Sequence, residues 1–541
     1  MKRAVLLYTV FALCIWGLNL RVALLSDGED TAVYAVQSAK TITAAVSRGY
    51  FYDRDYRPLV NGTAVHMAAV IPYDGVEEAL ADNTDAASLA LLQEGKPCVI
   101  PVYARRVNTQ YIRYFDITRR YAQTQSLVHT IGYLNADGIG AAGLEKSFET
   151  LLAQCGGELK VRFETDGKGQ ALPQSEIQLI DENYDSKGGV RLTIDADIQT
   201  ICEAAAEEND LDKGAVLVLK SDTAEILAAV SVPGYDPENL AASLQDEDAP
   251  FLNRTMTSYS VGSVFKVITA AAALEKGIFA DWQYECTGSI EVGGIVFHCH
   301  HRPGHGLMDM RSAMENSCNP YFIALAQQVG SATLLSMTEA LGLGEAIELA
   351  DGFAADSGTL PDGAELQNAG GLANFAFGQG SLSATPLHMA AVYACIANGG
   401  VYHTPYLLLE QLNENGDSFA QWVPEGGVRV MRTQTAQTLQ DLLRSTVKQG
   451  SGQAAKPANG TAAGKTATAQ SGSYEQDEEI LRTWFCGYFP AEEPEYVVVV
   501  LKEEGNSPIT DCAPIFRAIA EQLLPQASAL EETGTTAISG E

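Results

Sequence analysis

The chain has 541 residues, 46% of them apolar, and 68 Asp and Glu against 35 Lys and Arg leave a formal net charge of −33. That length holds two or three domains rather than one, and that apolar fraction suffices for a packed core. So acidic a balance excludes a nucleic-acid partner held by phosphate neutralisation. The carboxylates are dispersed, apart from Glu207-Glu208 and Asp246-Glu247-Asp248, and read as a solvated surface rather than a recognition patch.

Met1-Lys2-Arg3 precedes an apolar or small run at 4–18, then Asn19, Leu20 and Arg21. The run is shorter than the roughly 20 residues that span a bilayer, but snorkelling by Arg21 extends it to Leu25. A cleaved signal peptide is the alternative, yet no Ala-x-Ala site follows before Ser26. Residues 1–25 are therefore expected to be an uncleaved single-pass anchor in the cell membrane. Lys2 and Arg3 stay inside, and the chain from about Ser26 lies on the extracytoplasmic side. Export permits disulfides. With Cys14 in the anchor, nine cysteines are exported and at least one cannot pair within the chain. Buried free thiols are the default, and Cys286 with Cys299 is the first pair to test.

From 26 to 188, short alternating segments at 64–71, 99–105 and 159–163 predict an extended α+β module. Ser186-Lys187-Gly188-Gly189 marks its end. A strand at 190–194 and a helix at about 197–207, capped by Asp195, open the second region, 189–525. Two strands, 214–219 and 225–230, flank the turn Ser221-Asp222-Thr223. Helices are predicted at 265–274, 310–329 and 386–397, strands at 461–469, 483–489 and 496–502, and a last helix at 514–524. The polar tail, 526–541, is expected to be disordered. Strands at both ends with helices between predict a mixed α+β and α/β domain: one sheet whose first and last strands pair, covered by helices on both faces.

Three short elements stand in order within this region: Ser263-Val264-Phe265-Lys266, Ser317-Cys318-Asn319 and Lys465-Thr466-Ala467-Thr468. Each is weak alone. A second Ser-x-x-Lys, Ser445-Thr446-Val447-Lys448, has no Ser-x-Asn before Lys465, which follows only twenty residues later. Lys40 to Thr43 is also Lys-Thr-x-Thr, but carries Ile42 and precedes everything else. The Ser263 set alone supplies all three elements in order.

These residues suit acyl transfer. A serine hydroxyl is a poor nucleophile until a base takes its proton. Gly262 permits a sharp turn, Ser263 opens a helix where free N–H groups favour negative charge, and Lys266 lies one turn on, on the same face. Desolvation and a second cation, Lys465, lower the lysine's pKa toward a neutral amine. Ser317 is placed to relay a proton and Asn319 to bind an amide or steady the lysine. Lys465 with the hydroxyls of Thr466 and Thr468 fits a terminal carboxylate, and the backbone N–H groups of Ser263 and Thr468 would form an oxyanion hole. His298-Cys299-His300-His301 with His305 is a conceivable zinc cluster. Adjacent His300 and His301 point apart in an extended segment, and no Cys-x-x-Cys accompanies them, so no metal is expected.

With these motifs the chain resembles the class B penicillin-binding proteins over roughly 45–525. Arg48-Gly49 with Asp53-Arg54 is similar to the family's opening of the exported region, and His129, Gly132-Tyr133, Gly138 and Gly143-Leu144-Glu145 to its pedestal signature. Leu192-Thr193-Ile194-Asp195 with Ile198-Gln199, Pro233 with Asp236-Pro237, and Asn253-Arg254 resemble the approach to the nucleophile. Phe377-Gly378-Gln379-Gly380, Thr385-Pro386, Asn398-Gly399-Gly400, Trp484-Phe485 and Gly487-Tyr488 match as well. The resemblance implies a penicillin-binding transpeptidase fold after a pedestal domain, and a peptidoglycan D,D-transpeptidase. Ser263 would attack the penultimate D-alanine carbonyl of a stem peptide, release the terminal D-alanine and pass the acyl group to a neighbouring amine; β-lactams would acylate the same serine. It implies no cofactor, and a multi-spanning glycan polymerase as partner. Ala467 departs from the family's commoner glycine and joins the substrate-binding set as the residue that sets how closely the strand approaches the donor. A membrane-anchored β-lactamase, or a penicillin-binding sensor or scaffold without cross-linking activity, is the alternative.

Overall fold

The computed structural model describes residues 2–26, 39–165, 176–475 and 478–525; the expected tail lies outside them. Lys2–Ser26 forms one helix on which Leu7, Phe11, Trp16 and Leu18 stand exposed. Among the described residues no helix is long and apolar enough to cross a membrane.

The region up to 188 builds two small antiparallel sheets. Thr63–Val70 is flanked by Cys98–Pro101 and Ile112–Arg119, and Glu158–Glu164 by Ala39–Val46 and Gln178–Glu182. Leu159, Val161 and Phe163 alternate inward with a period of two. The strand expected at 99–105 stops at Pro101, which has no N–H to continue the ladder.

The family-like residues of this region form a buried ionic knot. Glu145, fully buried, accepts from Arg48 Nε at 2.8 Å, Arg120 Nε at 2.7 Å and Tyr121 OH at 3.0 Å. Arg48 also reaches Glu149 at 2.7 Å. A Cβ on Gly132 would lie 1.9 Å from Ala142 O, so only glycine lets that turn close on the helix Gly143–Ser147 that carries Glu145. Just past position 188, Gly189–Leu192 pairs in parallel with Tyr50–Tyr52 and antiparallel with Leu408–Leu412. Both regions therefore contribute strands to one sheet.

The larger region is organised by a five-stranded antiparallel sheet in the order Ile226–Val232, Gly214–Lys220, Tyr496–Lys502, Glu478–Phe489, Ala463–Glu475. The strand expected at 214–219 pairs with the last one, Tyr496 opposite Lys220, whereas the strand expected at 190–194 lies in the sheet shared with Tyr50–Tyr52. The Val497–Leu501 run is fully buried and serves two cores. Val497, Val499 and Leu501 face the cluster that includes the helices Lys266–Glu275, Asn319–Val329, Pro386–Ala397 and Thr433–Gln449. Val498 and Val500 face Ala196–Glu208 and Ala513–Leu523. Asp195 caps Ala196–Glu208 through the N–H groups of Asp197 and Ile198. Pro386–Ala397 starts on a Thr385 capping box and is buried along its whole length.

The single helix expected at 310–329 is two, Met310–Glu315 and Asn319–Val329. Ser317 adopts φ +51, which turns the chain out of the helix. Pro320 sits in the first turn of the new helix, where its missing N–H costs nothing.

Removing Glu145 leaves Arg120 without a carboxylate and Arg48 with Glu149 alone. Glu145→Ala is expected to cost about 3–5 kcal/mol of stability, read as an earlier unfolding midpoint in urea.

Candidate active site

Ser263 lies in a 3-10 turn, Gly262–Phe265, and the α-helix proper begins at Lys266 rather than at 265. The turn is fixed from several sides. Gly262, at φ +61, donates its N–H to Gly378 O at 2.9 Å. A Cβ on Gly378, itself at φ +83, would lie 2.0 Å from Gly262 O, so both positions demand glycine. Trp484 Nε1 donates to Ser260 O at 3.1 Å, Ser260 Oγ to Gln470 O at 2.7 Å, and Tyr393 OH to Val264 O at 3.2 Å. Val264 and Phe265 are buried, and Ser263 is half-buried.

Lys266 has no exposure. Its Nζ donates to Ser317 O at 2.7 Å and Asn319 Oδ1 at 2.6 Å, and lies 3.1 Å from Ser317 Oγ. The αL turn at Ser317 brings its carbonyl and hydroxyl to one nitrogen. No carboxylate among the described residues pairs with Lys266. Burial pushes its ammonium down to about 7, against the opposing pull of the Cys318 and Cys299 thiols.

The strand Ala463–Glu475 is the sheet's edge and lies beside the serine turn. Thr468 O would sit 3.0 Å from a Cβ on Gly262. A residue's N–H and C=O leave an antiparallel strand on the same side, so the Thr468 N–H faces the turn too. Lys465 is fully buried and donates to Thr466 O at 2.9 Å. Burial, then repulsion from Lys266, holds its ammonium well below the usual lysine range. Thr468 is exposed, whereas Thr466 is buried and its hydroxyl is spent on Ser451 Oγ at 3.2 Å. Ala467, at 2% exposure, belongs to the main core opposite Trp484. Its side chain therefore packs inward, and its small size serves the core rather than an approach to the substrate. A polar groove lined by Ser258, Ser260, Gln379, Ser381, Gln470 and Arg482 runs along this edge.

The second Ser-x-x-Lys lies on the helix Thr433–Gln449, where Ser445 Oγ donates to Glu315 Oε1. Gln449 Nε2 donates to the same oxygen at 2.8 Å, and Ser451 N to Glu315 O at 2.9 Å. Ser445 thus buttresses the helix that leads to Ser317. Ser451 and Glu315 were not singled out from sequence; the one signal available was Glu315 standing two residues before Ser317.

All ten cysteines are free, the expected Cys286–Cys299 pair included. Cys299 Sγ instead stands 3.4 Å from His305 Nδ1. The donor atoms of Cys286, Cys299, His305 and Cys318 lie within 4.8 Å of one another, an arrangement able to hold a metal ion. Of the histidine run, His298, His300 and His301 are exposed.

The penicillin-binding protein transpeptidase domain model matches residues 214–521, more than half the chain. Stage V sporulation protein D of Bacillus subtilis is 31% identical over 433 residues, covering 76% of this chain and 64% of its own length. The chain thus spans less than two thirds of that relative's length. Peptidoglycan D,D-transpeptidase PbpA of Mycolicibacterium smegmatis is 30% identical over 448 residues, covering 76% of this chain and 86% of its own. A chain from a structure on the coordination of polymerization and crosslinking by a peptidoglycan synthase complex superposes with a TM-score of 0.69 at 26% identity, covering 96% of this chain and 98% of its own. The imipenem acyl-enzyme of penicillin-binding protein A from M. tuberculosis shares the fold, with a TM-score of 0.64 at 22% identity and coverage of 88% and 98%. The chain belongs to the class B penicillin-binding proteins.

Proposed function

We propose that the protein is a peptidoglycan D,D-transpeptidase working through an acyl-enzyme on Ser263. The observation that carries this reading is Lys266, wholly buried without a carboxylate partner and held between Ser317 and Asn319 one helical turn after the serine. As a neutral amine it has two N–H groups, which Ser317 O and Asn319 Oδ1 accept, and one lone pair left for a hydroxyl proton. Ser263 Oγ attacks the penultimate D-alanine carbonyl as its proton passes to Lys266. The backbone N–H groups of Ser263 and Thr468 receive the oxyanion. Ser317 Oγ, 3.1 Å from Lys266 Nζ, relays the proton to the departing D-alanine amine, and a second amine then takes the acyl group by the reverse path. Lys465 and the Thr468 hydroxyl bind the donor's terminal carboxylate. The anion would pull the buried lysine back to its charged form. The outer edge of the lysine strand, unpaired within the sheet, suits an extended stem peptide.

The reading extends to placement. The exposed apolar side chains of the helix Lys2–Ser26 support its reading as the membrane anchor, with Arg21 snorkelling to complete a span that the apolar run alone does not reach, and the catalytic region would work on the extracytoplasmic side. Likeness to a chain of a peptidoglycan synthase complex supports a glycan polymerase as the partner met by the anchor and pedestal, 26–188.

Intact-mass measurement after incubation with a labelled penicillin tests the reading. One stable adduct per chain is expected on wild type and none on Ser263→Ala. Absence of any adduct on wild type sinks the proposal, and rapid release of hydrolysed drug favours the β-lactamase. Ser445→Ala, which alters a helix contact, is expected to form the adduct as wild type does; loss of labelling there would point to the wrong serine.

A further inference from the structure

Four side chains that the acyl-transfer chemistry does not use converge beside it. Cys286, Cys299 and Cys318 are buried, at 1%, 1% and 0% exposure, and His305 is half-buried. Their donor atoms fall within 4.8 Å of one another. The backbone is built to bring them together. Cys286 ends a short strand and pairs with Gly306, which places His305 beside it. Cys299 leaves the hairpin Ser289–Val292 and Ile295–His298 with its N–H on Gly288 O at 2.9 Å. Cys318 leads into the helix Asn319–Val329. A Cβ on Gly304 would lie 2.3 Å from Cys286 O, and one on Gly288 2.0 Å from Arg302 O; the two loops press so close that only glycine fits.

Three buried thiols and an imidazole within 4.8 Å of one another need shifts of no more than about 1 Å to close as a tetrahedral site. Metal–sulfur bonds of about 2.3 Å and a metal–nitrogen bond of about 2.0 Å set donor separations of about 3.5–3.8 Å. A sulfur-rich set with no water position suits zinc held structurally.

We propose that Cys286, Cys299, His305 and Cys318 form a zinc site that locks the Ser317–Asn319 turn beside Lys266. Loading breaks three S–H bonds, forms three Zn–S bonds and one Zn–N bond, and releases the three protons to solvent, with no change of oxidation state. The ion touches no substrate. Its lever is Cys318, whose two chain neighbours both contact Lys266 Nζ, at 3.1 and 2.6 Å. The zinc site stands on its own geometry, while its effect on acylation rests on the transpeptidase reading.

The full chain, purified in detergent without added metal, is expected to carry about one zinc by elemental analysis. Replacing it with cobalt(II) is expected to yield thiolate charge-transfer bands and visible bands of tetrahedral intensity, which needs no variant. His305→Gln, with its fold checked by circular dichroism, is expected to lose zinc to a chelator at least about tenfold more readily. Zinc-stripped wild type is expected to acylate at least about tenfold more slowly with penicillin, and to recover with zinc. Reduced wild type that takes up no zinc, iron or copper found in its place, a weak octahedral cobalt spectrum, or unchanged zinc retention in His305→Gln would each overturn the site. Unchanged acylation after stripping would overturn the coupling to Lys266. Zinc content is read without any β-lactam, so zinc-loaded protein that fails to label counts against the acyl-transfer reading alone.

Discussion

The active-site arrangement depends on one constraint: a lysine placed where water cannot reach it and no carboxylate answers it. Burying an ammonium without a counter-ion costs several kcal/mol, and the group relieves that cost by giving up its proton. Lys266 has no exposure and faces a second buried lysine, Lys465. Its nitrogen's hydrogen-bond partners are carbonyl oxygens and a hydroxyl, with the Phe322 ring beside them. Burial thereby drives this lysine toward the neutral amine that the proposed acyl transfer requires.

The rest of this region fixes the elements that carry Ser263, Lys266, Ser317 and Lys465. The serine turn, the Ser317 turn and the lysine strand come from three distant stretches of chain, and each is held by a different device. Gly378 closes on Gly262 without room for a Cβ, and Gly262 holds φ +61 against the lysine strand. The Ser317 turn breaks a helix at φ +51 and restarts it through Pro320. The lysine strand is carried by the five-stranded sheet, whose central Val497–Leu501 run faces a core on each side. The pedestal joins through the Tyr50–Tyr52 pairing, and its Arg48–Glu145 knot is a second buried ionic centre, here with its charges matched.

Much of this was legible from residues alone, for identifiable reasons. Pro386–Ala397 has a threonine cap, a proline at its first position and Asn398-Gly399-Gly400 beyond its end, so its bounds are written locally. Tyr496–Lys502 is a β-branched run bounded by turns. Order and spacing separated Ser263 from Ser445. The failures are of another kind. The break inside 310–329 requires a left-handed serine, which no propensity signals. Their place in the motif points Thr466 and Ala467 at the substrate. Burial of Ala467 in the core, and of the Thr466 hydroxyl against Ser451, is decided by a neighbouring helix and sheet that the sequence does not place. The cysteine cluster is not legible in the sequence because Cys299's neighbours along the chain are exposed histidines, while its neighbours in space, Cys286 and Cys318, arrive from separate elements.

The central claim is that Lys266 works as a neutral amine. The pH dependence of the penicillin acylation rate constant tests it most directly. The account predicts a rate that climbs through neutral pH with a midpoint near 7, the value to which burial drives Lys266, and levels off above it. A rate still climbing toward the ordinary lysine range, about 10.4, would contradict it, because Lys266 would then carry its proton throughout the working range.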